Sequence, residues 1–434
     1  MNIVSLEIKK LYKQFSYKID LSEENSLLHI FTGPNGYGKT TILQIIDFIS
    51  KGEFIYFFTF PFEKIEIDFT DDVFFRIISD NTQDNIESDD DNYIPRISFV
   101  YEDKKQNINN TLNLCLEDFY KSIPTPYRRN IDIDFSSKQS VEFIVDFIQT
   151  HREFKIYESI ARKQKQEQLL FFMGNLKTVF IPAQRLYYLE QELDSGYYNR
   201  RRIEKKSSVD EVAKDLKNLL QEYRLSYLQN AQKHDNQFLN KYLTFSGHEY
   251  TEEEFYNKSK ELQLLIDELF SYGLIEKFNL LSYNFEHRRI LSVYLDDLTE
   301  KLDFYAKILN KLRIFSSILD EKMFTNKRLE LSPTDGLSIK LNDGTNININ
   351  SLSSGEKNEI IMLYHLIFEV KENTILLIDE PEISLHVEWQ LEFLDDIEKI
   401  LEDKKIQVII ATHSPQIINE KWDLCFDFYA NNRK

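Results

Sequence analysis

Residues 33 to 40, Gly-Pro-Asn-Gly-Tyr-Gly-Lys-Thr, constrain this chain more than any other stretch. They fit the spacing G-x-x-x-x-G-K-[ST], which is built to hold phosphate. Leu27-Leu28-His29-Ile30-Phe31 before them is short and apolar enough for a buried strand. Thr41, Ile42, Ile45, Ile46 and Ile49 after them carry helical spacing, so the context is strand, loop, helix. Glycines 33, 36 and 38 let backbone N–H groups close on phosphate oxygens with no Cβ in the way. The helix that follows adds its positive N-terminal end. Lys39 is then expected to neutralise the outer phosphates of a nucleotide, and Thr40 to ligate Mg²⁺.

An α/β sheet around such a loop needs a large core. At 434 residues, 42% of them hydrophobic, the chain has enough for one, with a subsidiary lobe. The net charge of −19 argues against a surface that coats nucleic acid nonspecifically, though it leaves room for a local basic groove. Cys115 and Cys425 form neither a metal-type pair nor a disulfide framework, so a reducing cytoplasm is the expected compartment. No apolar run reaches the length of a membrane span, so no membrane partner is expected, and the N-terminus does not read as a signal peptide.

Along the chain, residues 3 to 31 read as three strands, the third feeding the loop. Tyr12 and Phe15 are candidates to pack on an adenine base, with ordinary core packing as the alternative. Residues 64–69, 73–78 and 96–101 alternate as strands of an antiparallel side sheet, and the acidic run Glu87 to Asp91 between two of them reads as a solvated loop. Residues 116 to 176 read as mainly helical. A buried strand then ends at Pro182 and delivers Gln184 to its C-terminal edge, where ligands sit in open α/β sheets. Gln184 is therefore a candidate Mg²⁺ and water ligand.

Residues 186 to 330 are charged, poor in glycine and helical in period. Leu298, Leu302, Tyr305, Leu309 and Leu312 follow 4-3-4-3 spacing, as in a short antiparallel coiled coil or helical lobe. Arg200-Arg201-Arg202 with Lys205-Lys206 is the strongest basic cluster, either a solvated face or a docking point for nucleic acid or another partner. No His/acid cluster beyond the nucleotide motifs stands out as a metal site.

The last hundred residues carry the remaining chemistry. A hairpin over 336–349 runs into Leu352-Ser353-Ser354-Gly355-Glu356, a hydroxyl-bearing helix start that suits either a cap or a second anion site. Thr374 to Asp379 is an apolar strand ending in two carboxylates, Asp379 and Glu380. Adjacent acids at a buried strand end repel without a cation, so Asp379 is expected to hold Mg²⁺ through water and Glu380 to act as general base. Gln407 to Ala411 is another buried strand, and it brings His413 to the same sheet edge as a candidate γ-phosphate sensor.

The ordered set GPNGYGKT, PAQR, LSSGE, ILLIDEPE and ATHSP resembles the ABC-type ATPase heads of the SMC/Rad50/OLD kind. EPEISLH and THSP are especially similar to prokaryotic OLD-like ATPases of anti-phage systems. The resemblance implies an α/β P-loop NTPase head, with a mixed central sheet, an antiparallel side sheet and a helical insertion. The expected division is 1–184 for the N-terminal head part, 185–330 for the insertion and 331–434 for the C-terminal head part. It implies nucleotide contacts from Asn35, Gly36, Gly38, Lys39, Thr40, Thr41, Gln184, Ser353 and Gly355, metal contacts from Thr40, Gln184 and Asp379, and catalysis by Glu380 with His413 as the switch histidine. ATP and Mg²⁺ are the implied cofactors. The implied partners are a second copy, paired head to tail or in a higher even-numbered assembly, and a separately encoded nuclease of HNH or Toprim type, as in Septu and PARIS systems. The chain ends shortly after His413, so a following Toprim domain is not expected. A DNA-clamping repair ATPase is the alternative, and a transporter motor is the weakest reading.

Overall fold

The computed structural model describes all residues except 23–26, 81–95, 129–134, 136–137, 151–155, 157–159, 161, 163–166, 194–200, 323–326, 384, 402–403, 405 and 433–434. The chain opens with strands β1 (Ile3–Leu11), β2 (Phe15–Asp20) and β3 (Leu28–Thr32), then helix α1 (Lys39–Lys51). Four strands follow, β4 (Lys64–Phe69), β5 (Val73–Ser79), β6 (Arg96–Asp103) and β7 (Ile108–Cys115). Helices α2 (Leu116–Ser122), α3 (Lys138–Thr150) and α4 (Glu167–Asn175) lead to β8 (Lys177–Ile181). The second stretch holds β9 (Tyr187–Leu193), β10 (Arg201–Ser207), α5 (Ser208–Thr244), α6 (Glu252–Ser271), α7 (Arg288–Asp303) and α8 (Ala306–Lys322). It continues through β11 (Lys327–Ser332), β12 (Gly336–Leu341), β13 (Asn346–Ile347) and α9 (Ser354–Tyr364). The chain closes with β14 (Thr374–Asp379), α10 (Val387–Leu401), β15 (Gln407–Ala411), β16 (Cys425–Asp427) and α11 (Phe428–Asn431).

Two compact units result, residues 1–184 with 369–434, and residues 185–368. In the first, β16-β3-β15-β14-β8 form one sheet and β2-β1-β4-β5-β6-β7 another. Every described ladder of the five-stranded sheet is parallel, and every ladder of the six-stranded sheet is antiparallel. Where a mixed central sheet was expected, the mixing of directions lies between the two sheets. Parallel strands covered on both faces read as continuous apolar runs, and all six residues of β14 and all five of β15 are buried. The six-stranded sheet instead alternates, as in the pattern of β4, because one face alone meets the core. Helix α1 shares one core with both sheets through Ile42, Leu43, Ile45, Ile46 and Ile49, all at most 1% exposed. Gln407 ties the sheets together: its amide accepts from the N–H of Ile3 at 2.7 Å and donates to the Ile3 carbonyl at 2.8 Å.

The second unit differs from the expected insertion in two ways. It is not wholly helical: β9 and β10 pair antiparallel, and β11-β12-β13 form a small sheet. The residues at 4-3-4-3 spacing are all buried, but α7 stops at Asp303 and α8 starts at Ala306, so the spacing runs across a break with Tyr305 between two helices, as in the helical-lobe alternative. Tyr305 at the break is fully buried and donates its hydroxyl to the Leu274 carbonyl at 3.1 Å. Finally, residues 331–368 pack with the helices of this unit instead of grouping with the C-terminal head part. Gly336 marks the reason: a Cβ there would lie 1.8 Å from the Ala213 carbonyl oxygen, so β12 sits directly on α5. The acidic run Glu87 to Asp91 and Arg200 lie outside the described residues, as do the side chains of Arg201, Arg202 and Lys205.

Candidate nucleotide site

Strand register brings the motifs of the first unit to one edge. Phe31 pairs with Ala411, Ala411 with Asp379, and Ile378 with Ile181. The segments leaving β3, β15, β14 and β8 therefore emerge side by side, carrying Gly33 to Lys39, Thr412-His413, Glu380 to Glu382 and Gln184. Gln184 is exposed at this edge.

The loop itself is shaped by its glycines. Gly36 and Gly38 both have φ of 86°, a left-handed conformation that disfavours side chains. Gly38 is the N-cap of α1 and offers no side-chain cap, and no acid occupies the first turn. The first N–H groups of α1 are thus left for an anion. Lys39 is 6% exposed, and its ammonium donates to the carbonyls of Gly33 and Pro34 at 2.7 and 3.1 Å. Burial lowers its pKa, against the pull of Glu380, Asp379 and Glu382. Thr40 Oγ1 donates to the Asp379 carboxylate, 2.9 and 3.0 Å from its two oxygens. Asparagine 35 lies on the same loop, and Thr41 Oγ1 is 2.9 Å from the Tyr12 hydroxyl. Of the two aromatic candidates, Tyr12 is 40% exposed. Phe15 packs against Tyr17 and Tyr37 with ring centroids 6.0 and 5.3 Å away.

Asp379 is 3% exposed. Burial, reinforced by the charge of Glu380, pushes its carboxyl up to about 6, while the Thr40 bond and Lys39 pull the other way. Glu380 adopts φ of 43°, held there by its N–H donating to the Ala411 carbonyl at 2.8 Å. A left-handed Glu is uncommon, and such strain concentrates at working sites. His413 Nδ1 lies 3.9 Å from Glu380 and 3.1 Å from Glu382. The charges of three carboxylates, Glu380, Asp379 and Glu382, thus act on one ammonium, an excess that fits a divalent cation arriving with its phosphate.

Glu382 was not anticipated as a site residue. The signal available was the second acid of Glu-Pro-Glu, but only the register of β14 with β15 reveals that it meets His413. The signature residues lie in the other unit. Ser353 caps α9 in a capping box, its N–H and Oγ–H donating to Glu356 Oε2 at 2.8 and 2.9 Å and its Oγ accepting from Glu356 N at 3.3 Å. Gly355 lies in the first turn, and Lys327 holds the other oxygen of Glu356 at 2.7 Å.

The second unit also assembles a cluster that sequence reasoning missed. His234, Asp297 and Glu300 bring three potential metal-binding atoms within 4.8 Å of one another. Lys241 sits among them, 2.8 Å from Asp297, 3.3 Å from His234 and hydrogen-bonded to Glu300 at 2.5 Å. Lys301 holds the other Asp297 oxygen at 2.8 Å. The buried carboxylate is therefore paired by two ammonium groups and clamps α5 to α7. Among the described residues, no helix is long and apolar enough to cross a membrane.

A family model described as an AAA ATPase domain matches residues 1–418. The chain is similar to a retron Ec83 probable ATPase of Escherichia coli, 29% identical over 146 residues, which are 30% of this chain and 26% of that protein. It is also similar to protein ea59 of Escherichia phage lambda, 35% identical over 69 residues, or 16% and 13% of the two chains. It thus spans about a quarter or less of the length of the curated relatives it matches. Among solved structures, it aligns with the Smc head domain of Pyrococcus furiosus, with an extended coiled coil and bound to the C-terminal domain of ScpA, at 15% identity and a TM-score of 0.36, covering 96% of this chain and 91% of that one. The SMC head domain from Thermotoga maritima aligns over the same shares at 10% identity and a TM-score of 0.28.

Proposed function

The chain belongs to the AAA ATPase domain family, and from that premise we propose that it binds and slowly hydrolyses ATP to switch a separately encoded nuclease in an anti-phage defence complex. One observation carries the nucleotide reading: Thr40 and Asp379 are hydrogen-bonded to each other beside Lys39, at the uncapped N-terminus of α1. The defence role draws support from the stretch shared with the retron ATPase.

In this reading, the loop N–H groups of Asn35 to Thr41 cradle the phosphates and Lys39 leaves its loop carbonyls to pair with them. Thr40, Gln184 and Asp379 would hold Mg²⁺, whose charge would offset that building on the phosphate oxygens. Glu380 takes a proton from the attacking water. His413 monitors the outer phosphate, and Tyr12 flanks the base. Ser353 and Gly355 contact the ATP of a second chain, so that two heads close on two nucleotides. The second cluster is given no metal in this reading, because Lys241 and Lys301 already pair its carboxylates.

Equilibrium binding of a fluorescent ATP analogue tests the assignment. Lys39→Ala should lose at least about tenfold in affinity, as expected when a buried charge pairing is removed. Unchanged affinity in a folded variant overturns the site.

A further inference from the structure

Glu382 lies in the turn after β14 and is 9% exposed. Its Oε1 accepts from Thr412 Oγ1 at 2.8 Å and from the N–H of His413 at 2.9 Å. The same oxygen is 3.1 Å from His413 Nδ1, and Glu380 Oε1 is 3.9 Å from that nitrogen. We propose that Glu382 is a positioning residue that fixes the ring of His413 with its proton on Nδ1, leaving Glu380 free for the attacking water. This rests on the nucleotide reading for its catalytic consequence, but not for the tautomer.

Nδ1 lies 3.1 and 3.9 Å from two carboxylate oxygens, a charge contact rather than an aligned hydrogen bond, and that field favours N–H at this nitrogen because a lone pair there would be repelled. A purely structural turn would need only the Thr412 hydroxyl and the His413 N–H, both of which Glu382 already receives. The ring contact is additional to that turn. With Nδ1 committed, Nε2 is the nitrogen left to meet nucleotide or water, as an acceptor when the ring is neutral and as a donor when it is protonated. Glu380, farther from the ring and held at φ of 43°, is not required for this orientation. The two glutamates of Glu-Pro-Glu therefore have different tasks, one toward the histidine and one toward water.

The experiment uses the full chain labelled with ¹⁵N-histidine, of which there are eight, with His413→Gln identifying the signal. The native chain should show Nδ1 protonated in its neutral form. Glu382→Ala should move the proton toward Nε2 and lower kcat by about 10–100-fold, with KM for ATP within about threefold, as for other groups that orient a working histidine. Glu382→Gln should restore both. The Thr412 hydroxyl and the His413 N–H hold its amide oxygen toward the ring, which prevents the flip that would present NH₂. An Nδ1-protonated ring in Glu382→Ala, or a folded Glu382→Gln no better than Glu382→Ala, overturns the proposal. Unchanged ATP affinity in Lys39→Ala would instead remove the nucleotide reading and leave the tautomer assignment standing.

Discussion

Replacing Asp379 with Asn should stabilise the nucleotide-free protein at neutral pH, by an amount that vanishes in acid. The carboxyl ordinarily titrates at 3.8 and is raised to about 6 in the fold, chiefly by burial. Between those values the folded chain holds a proton that the unfolded chain has lost, so stability falls as pH rises through the window. Above it the full cost remains, roughly 3 kcal/mol at about 1.4 kcal/mol per pH unit. The parent protein alone would hide this. His29, 5% exposed in β3, is pushed by burial from 6.5 down to about 4, with Asp20 opposing. A histidine depressed in this way loses stability as pH falls through nearly the same window, with a similar magnitude of roughly 3 kcal/mol. The two slopes oppose each other, so the informative quantity is the difference between Asp379→Asn and the parent. Urea unfolding at pH 7.5 should favour the variant by about 3 kcal/mol, and at pH 4 the gap should nearly close, since both side chains are then largely neutral. Added ATP with Mg²⁺ should reverse the order at neutral pH, because only the carboxylate serves the cation. A difference independent of pH, or a parent more stable than the variant at pH 7.5 without nucleotide, would refute the reasoning.

Two further outcomes follow from the site. Glu380→Gln should keep ATP affinity while slowing single-turnover hydrolysis by about 10²–10⁴-fold, the usual contribution of a general base; parental rates would remove Glu380 from that role. Mixing Lys39→Ala chains with Ser353→Arg chains should restore part of the ATPase activity lost by each, since in the proposed pairing a mixed dimer would retain one complete site. Failure to complement, with both variants folded and associating, counts against a shared site.

The parts legible in the sequence were those where a few residues dictate the backbone. Gly36 and Gly38 demanded a left-handed loop, and the buried runs of β14 and β15 demanded a strand covered on both faces. The alternation in β4, β5 and β6 likewise reports one buried face. Legibility failed where tertiary pairing overrode local pattern. Residues 201–207 are too charged to alternate, yet they form β10 through main-chain pairing with β9, from Arg201 opposite Leu193 to Ser207 opposite Tyr187. The spacing from Leu298 to Leu312 stayed periodic across a helix break because the N–H of Tyr305 donates to the Leu302 carbonyl at 2.9 Å, a tight turn that keeps the buried face in phase. The cluster around Asp297 draws on positions 234, 241, 297, 300 and 301, which become neighbours only when α5 meets α7.

The segment at 353 shows why a motif can support two readings that are not rivals. In sequence, Ser353 to Glu356 suited either a helix cap or an anion site. A helix leaves its first four N–H groups without partners inside the helix. The capping box uses the N–H of Glu356, three residues into the turn, and returns the glutamate to the N–H and hydroxyl of Ser353. The N–H groups of Ser354 and Gly355 belong to the same set of four and are not consumed by the box. Burial would raise the Glu356 carboxyl, but Lys327 and Ser353 more than offset it and keep it below its usual range. Lys327 also counters its charge next to any incoming phosphate. A cap of this kind is compatible with the proposed anion contact: it fixes the first turn, holds the Glu356 carboxylate on Lys327, and does not use the N–H groups of Ser354 and Gly355.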